Sequence, residues 1–325
     1  MLEKSLDLQK RVPKYDQLFS PSKTEEIKKY EPSSGTVDEI MSKLKHGLQD
    51  RKSSVYDSVF RSYELAKTYL NLKINLCFGN DYESRDASLE AVHLSQELML
   101  SCFKRDSKTA LKKLRSLKKL SKKSKKDSPL HKMLSTRIDE KSDLAFLPAC
   151  IEEEDFNIAK NLMDPKTGTG GEPILMIGIG YRGAWRIPEI FLEYQDLSDT
   201  PESKLYMTRY SPGNYSDTFP RLSWEEIRYL KELAKGRKIV IVGAMERLDW
   251  ASMYFREMLR DGDPVSIIKV PLKLTEVKDT SRNGVDNGIG ENYAENPNIA
   301  SKKITRKGVF RKILFLREKP VEKTD

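Results

Sequence analysis

The chain has 325 residues, enough for two domains of ordinary size. With 38% apolar and 33% charged residues it is polar for a globular protein, without the apolar depletion of a disordered one. No apolar run approaches the roughly 18 residues a membrane helix needs, the first residues lack the apolar core of a secretory signal, and Cys77, Cys102 and Cys150 lie far apart. These features exclude a disulfide framework and a cysteine zinc site, and they point to a reducing, cytoplasmic compartment.

Residues 1–35 mix charge with Pro13, Pro21, Pro32 and Gly35 and read as an extended or disordered arm. A helix start is predicted at Thr36-Val37-Asp38-Glu39, and apolar residues at three-to-four spacing then continue to about residue 149. Phe78-Gly79-Asn80-Asp81 reads as a turn within this run. Residues 36–150 are therefore expected to form an all-α helical domain. His46, His93 and His131 are isolated within it, so neither a metal site nor a catalytic triad is proposed.

The net charge of +9 arises in one segment of this helical region. Residues 104–126 hold twelve Lys/Arg against Asp106, a net of +11 that leaves −2 for the rest of the chain. Ala110, Leu114, Leu117 and Ser121 share one helical face, which predicts a helix to about Leu120 and a solvated tail beyond it. Lys112, Lys113, Arg115, Lys118, Lys119, Lys122, Lys123, Lys125 and Lys126 are the candidate contacts to nucleic acid, RNA above all, through counterion release. Phe103 is the one aromatic residue in or next to the segment, so there is no base-stacking platform. An acidic protein partner, an anionic membrane surface or a merely solvated helix face are the other readings.

Residues 151–172 open with the acidic run Glu152-Glu153-Glu154-Asp155 and end rich in glycine, which reads as a linker. From 173 to about 320 strands and helices alternate, predicting a mostly parallel sheet with crossover helices. The first strand is 174–177, and a helix from 187 follows with Pro188 in its first turn. A strand over 204–208 and a helix from Ser223 to about 234 come next. A strand at 238–242, a helix at 250–260 and a strand at 265–270 complete the alternation. Residues 275–309 form a long Asn- and Gly-rich loop, and 310–316 is a further strand candidate.

Gly178-Ile179-Gly180-Tyr181-Arg182-Gly183 follows the first of these strands as G-x-G-x-x-G, a spacing that lets backbone N–H groups approach a phosphate. Gly178, Gly180, Tyr181, Arg182 and Gly183 are candidate ligand-binding residues, joined by Arg209 at the end of the next strand. A Rossmann dinucleotide or S-adenosylmethionine binder is one reading, but Pro188 would break its helix, and Thr208-Arg209 stands where an acidic residue is wanted.

Gly180-Tyr181-Arg182-Gly183-Ala184, followed by Ile187-Pro188 and an apolar helix, resembles the pyrophosphate loop of type I phosphoribosyltransferases, the xanthine-guanine and hypoxanthine branch in particular. The order of the elements over residues 173–272 is similar as well. The resemblance implies a nucleotide or phosphoribosyl pyrophosphate with magnesium as ligand. The family follows its third strand with two acidic residues for the ribose hydroxyls, where this chain has Gly243-Ala244. The leading expectation is thus a divergent, non-catalytic phosphoribosyltransferase-like protein, a pseudoenzyme that binds a nucleotide or phosphate-containing ligand or acts as a scaffold. Its basic segment would tie it to RNA or to a larger protein assembly. The alternatives are an active transferase or nucleotide-processing enzyme with Glu246 and Asp249 as a relocated acidic pair, and a structural component of a ribonucleoprotein.

Overall fold

The structure is a computed structural model and describes residues 34–50, 53–76, 83–139, 155–179, 186–208, 222–260 and 265–272. Strand β1 (Ser34–Thr36) leads into helices α1 (Val37–Gln49), α2 (Val55–Leu76), α3 (Glu83–Phe103), α4 (Ser107–Lys123) and the short α5 (Pro129–Lys132), followed by strand β2 (Arg137–Asp139). Then come α6 (Asp155–Leu162), β3 (Ile174–Ile179), α7 (Ile187–Ser198), β4 (Lys204–Thr208), α8 (Trp224–Ala234), β5 (Lys238–Ala244), α9 (Met245–Leu259) and β6 (Ile267–Leu272). The fold is α/β. The sequence-predicted arm up to residue 33, the turn at 78–81, the loop at 275–309 and the strand candidate at 310–316 lie outside the described residues.

Two helix starts form where side-chain chemistry places them. The Thr36 hydroxyl accepts from the Glu39 N–H at 3.3 Å, and the Glu39 carboxylate takes the Thr36 N–H at 2.8 Å. Ser223 and Glu226 repeat this capping box on α8. Pro188 occupies the first turn of α7, where its missing N–H costs no hydrogen bond.

Strands β3, β4, β5 and β6 form one parallel sheet in the order β4-β3-β5-β6. Side chains alternate between its faces. Leu175, Ile177, Ile179, Tyr206, Ile239 and Ile241 pack with apolar residues of α8 and α9 in one core. Ile174, Met176, Met207, Val240, Val242 and Val270 face the other way and share a core with α6, α7 and the helices α1 to α4. The result is three layers, helices on both sides of a parallel sheet.

The helices of the N-terminal half are therefore packed against the sheet within one core. The predicted all-α description of this half also misses a strand pair, since β1 runs antiparallel to β2 with Gly35 opposite Ile138. Three-residue strands carry too little pattern to be seen in a sequence.

Residues 155–172, read as linker, are folded as well. Helix α6 packs on α7, and the buried Thr169 hydroxyl bonds the Leu162 carbonyl at 2.8 Å and the Tyr194 hydroxyl at 2.6 Å. Gly170 and Gly171 have φ of 69° and 77°, so these glycines serve a left-handed turn rather than a flexible tether.

The contact between halves that matters most is made by Gln96 of α3. β4 is one of the two outer strands of the sheet among the described residues, and Met207 there points its backbone groups outward. The Gln96 side-chain amide donates to the Met207 carbonyl at 2.8 Å and accepts the Met207 N–H at 2.9 Å. At Met207 one side chain thus makes the pair of bonds that a neighbouring strand would make. Beside it His93 stacks on Tyr229, with ring centroids 4.0 Å apart, and meets Tyr206 edge-on.

Truncation at Gln96 leaves a buried N–H and a buried carbonyl unpaired, so Gln96→Ala is expected to cost about 2–4 kcal/mol in urea unfolding. Gln96→Glu keeps an acceptor and loses the donor, and should also destabilise. Burial pushes the Cys102 thiol up to about 12, a rise only partly offset by its hydrogen bond with Ser62. Folding stability from this group is complete below the unfolded thiol value of about 8.5 and is lost as pH rises above it, by about 1 kcal/mol per pH unit. Urea unfolding at pH 7 and pH 10 should show this loss, and Cys102→Ala should lessen it.

Candidate functional site

Two places in the fold bear on the residues the sequence singles out. The first is the carboxyl edge of the sheet. From β3 the chain crosses to β4 on one side and later returns to β5 on the other, so the ends of β3 and β5 flank the topological switch point, where open α/β sheets bind ligands. Ile179 ends β3 at this point, and Gly243 and Ala244 end β5 beside it. Gly180, Tyr181, Arg182, Gly183 and Arg209 lie outside the described residues.

Gly178 is described, and it sits inside the strand rather than in the turn. A Cβ there would lie 2.4 Å from the Met207 sulfur and 3.1 Å from Ile187, so its lack of a side chain makes room for packing beneath α7. Gly243 is buried in the same way on the opposite face. A Cβ on it would lie 2.8 Å from the Ile179 Cβ, closer than such atoms pack. The position where the resembled family has its first acid is thus filled by a neighbour's side chain.

Helix α9 starts at Met245, directly after β5, instead of at the predicted residue 250. Glu246 therefore lies in its first turn, and the N-terminal backbone N–H groups of α9 stand at the carboxyl edge, with the positive end of the helix dipole. Asp249 is exposed and pairs with Lys269 of β6 at 2.6 Å. The earlier helix start has a physical reason: Met245-Glu246-Arg247-Leu248 contains no residue that stops a helix.

Arg186, which no motif in the sequence marks, directly precedes α7. It is 1% exposed, and its Nε and Nη2 donate to the same Asp155 oxygen at 2.8 and 2.5 Å. This pair joins the start of α6 to the start of α7, and removing one partner would leave the other charge buried. At the end of β4 Thr208 is 1% exposed, and its hydroxyl has no hydrogen-bond partner among the described residues. Among the described residues no group of three His, Cys, Asp or Glu side chains could hold a metal ion.

The second place is α4. Its apolar seam is the predicted one, Ala110, Leu114, Leu117 and Ser121, all buried. The helix nevertheless runs to Lys123, beyond the predicted end at Leu120. Ser121 is fully buried, donates to the Leu117 carbonyl at 3.0 Å and bonds the Tyr69 hydroxyl at 2.9 Å, so tertiary packing extends the helix past the apolar pattern. Burial raises the Tyr69 phenol above its ordinary value despite that bond.

The nine basic candidates do not share one environment. Lys113 pairs with Glu97 of α3, and Lys118 pairs with Asp38 of α1 at 2.7 Å. Lys112, Lys123, Lys125 and Lys126 are exposed. Arg115, Lys118, Lys119 and Lys122 line a groove of about 380 Å³ between α4 and α1. Lys45 and His46 stand on its α1 wall, and Met41, Leu111 and Leu114 are its apolar lining. Lys45 and His46 are distant in sequence from the basic run, and no local signal marks them.

Gly243→Ala is expected to destabilise by about 1–3 kcal/mol through overpacking against Ile179, read by urea unfolding. An unchanged midpoint would remove this account of why the position carries no side chain.

Among the described residues no helix is long and apolar enough to cross a membrane. No family model, no curated protein and no solved structure matches the chain.

Proposed function

We propose that this chain is a divergent, non-catalytic phosphoribosyltransferase-like protein. It holds a nucleotide or another phosphate-containing ligand at the carboxyl edge of its sheet and uses the basic helix α4 to reach RNA. The observation that carries the reading is the place of β3 in the strand order: it ends at the switch point where the Gly178–Gly183 sequence continues, and the other side of that point is formed by β5 and the N-terminus of α9. A phosphate there would meet a helix N-terminus, and the buried Thr208 hydroxyl adds a polar group at the same edge.

The packing at Gly243 supports the non-catalytic form of the reading. Phosphoribosyl transfer in the resembled family needs a carboxylate pair at the end of this strand, and Ile179 occupies the space a side chain would take there. Asp249, offered as half of a relocated pair, is exposed and spends its charge on Lys269. Both features disfavour the working transferase.

Thermal unfolding of the full chain with phosphoribosyl pyrophosphate, purine nucleotides and magnesium tests this reading. A ligand at about 100 times its Kd should stabilise by about 2.7 kcal/mol, a rise of a few degrees in Tm. The shift should disappear in Arg182→Ala, and no pyrophosphate should be released. Release of pyrophosphate would establish a transferase, and the lack of any shift would remove the ligand site.

A further inference from the structure

We infer that the groove between α1 and α4 grips the sugar–phosphate backbone of structured RNA, with Lys45 and His46 on one wall and Arg115, Lys118, Lys119 and Lys122 on the other. The inference rests on the RNA-binding half of the proposed function and replaces a diffuse basic segment with a built site that includes residues outside it.

The charge arrangement points this way. Among the described residues no acidic side chain lines the groove, and the neighbouring Asp38 is engaged by Lys118 at 2.7 Å. Lys45, Arg115, Lys119 and Lys122 make no ion pair among the described residues. Cations from two helices therefore face a shared space of about 380 Å³ with little to neutralise them. A polyanion entering it releases counterions from both walls.

Shape and chemistry narrow the class. The α4 positions 111, 114, 115, 118, 119 and 122 follow three-and-four spacing, so they form a continuous stripe along the helix. At 1.5 Å per residue the stripe is about 16 Å long, room for several consecutive phosphates rather than one.

Among the described residues no Phe, Tyr or Trp lines the groove, which leaves His46 and Arg115 as the stacking surfaces for splayed bases, so single-strand recognition by a stacking platform is disfavoured. What remains is contact with the backbone of a folded RNA, read through phosphates and 2′-hydroxyls. Ser42 lies on the α1 wall and donates its own proton to the Asp38 carbonyl at 2.8 Å. Its oxygen is left as an acceptor, which a ribose 2′-hydroxyl can use and a deoxyribose cannot.

The test is fluorescence anisotropy of the full chain with a labelled RNA hairpin, the DNA hairpin of the same sequence, and a polyglutamate peptide. Two double variants remove equal charge: Lys45→Gln with Lys119→Gln inside the groove, and Lys112→Gln with Lys123→Gln on exposed positions outside it. The groove variant should lose roughly tenfold in RNA affinity near physiological salt and flatten the log–log salt dependence by about two, while the control variant loses less than about threefold. Wild-type protein should prefer RNA to DNA. Thermal unfolding of both variants establishes that they fold alike.

Equal losses in the two variants would overturn the groove while leaving RNA binding by the basic helix in place. An absence of RNA binding in the wild type would overturn both. DNA bound as tightly as RNA, or polyglutamate bound in preference to either, would overturn the assignment of the groove to RNA.

Discussion

A parallel sheet with an open edge invites another chain to pair with it, and in this protein a glutamine occupies that edge at Met207 of β4. The Gln96 amide meets both outward backbone groups of Met207. It brings α3 onto β4 with His93, Tyr206 and Tyr229 stacked alongside. The rest of the arrangement depends on this contact. It lets the apolar faces of α1 to α4 and one face of the sheet become a single core instead of two. It also converts a liability of edge strands into the seam between the two halves of the chain.

That shared core bears on both candidate sites. Glycines at the sheet are there to let neighbours in: Met207 and Ile187 fill the space at Gly178, and Ile179 fills it at Gly243. The carboxyl edge keeps the features that favour an anion, a helix N-terminus and a buried hydroxyl. β5 ends there with Gly243 and Ala244.

The basic helix shows a comparable division of labour. Part of its charge is structural, as Lys113 and Lys118 reach across to acids on α3 and α1. Exposed pairs of this kind contribute little energy each, yet they orient α4 against its neighbours. Arg115, Lys119 and Lys122 face the groove, together with two residues from α1. A charge count over residues 104–126 cannot separate these roles, because it weighs a paired lysine and an unpaired one alike.

Much of the fold was legible in the chain itself, where local chemistry decides. The capping boxes at Thr36 and Ser223, the proline in the first turn of α7, the alternation of strands and helices after residue 173 and the buried seam of α4 all follow from interactions within a few residues. What tertiary structure alone decided are the features built by residues far apart. The pairing of β1 with β2, the burial of Ser121 by Tyr69, the Arg186–Asp155 bond and the arrival of Lys45 and His46 opposite Arg115 are of this kind. Their cause is the same in each case. A hydrogen bond, an ion pair or a shared surface between distant segments leaves no periodicity in either segment, and it exists only once the hydrophobic core has brought them together.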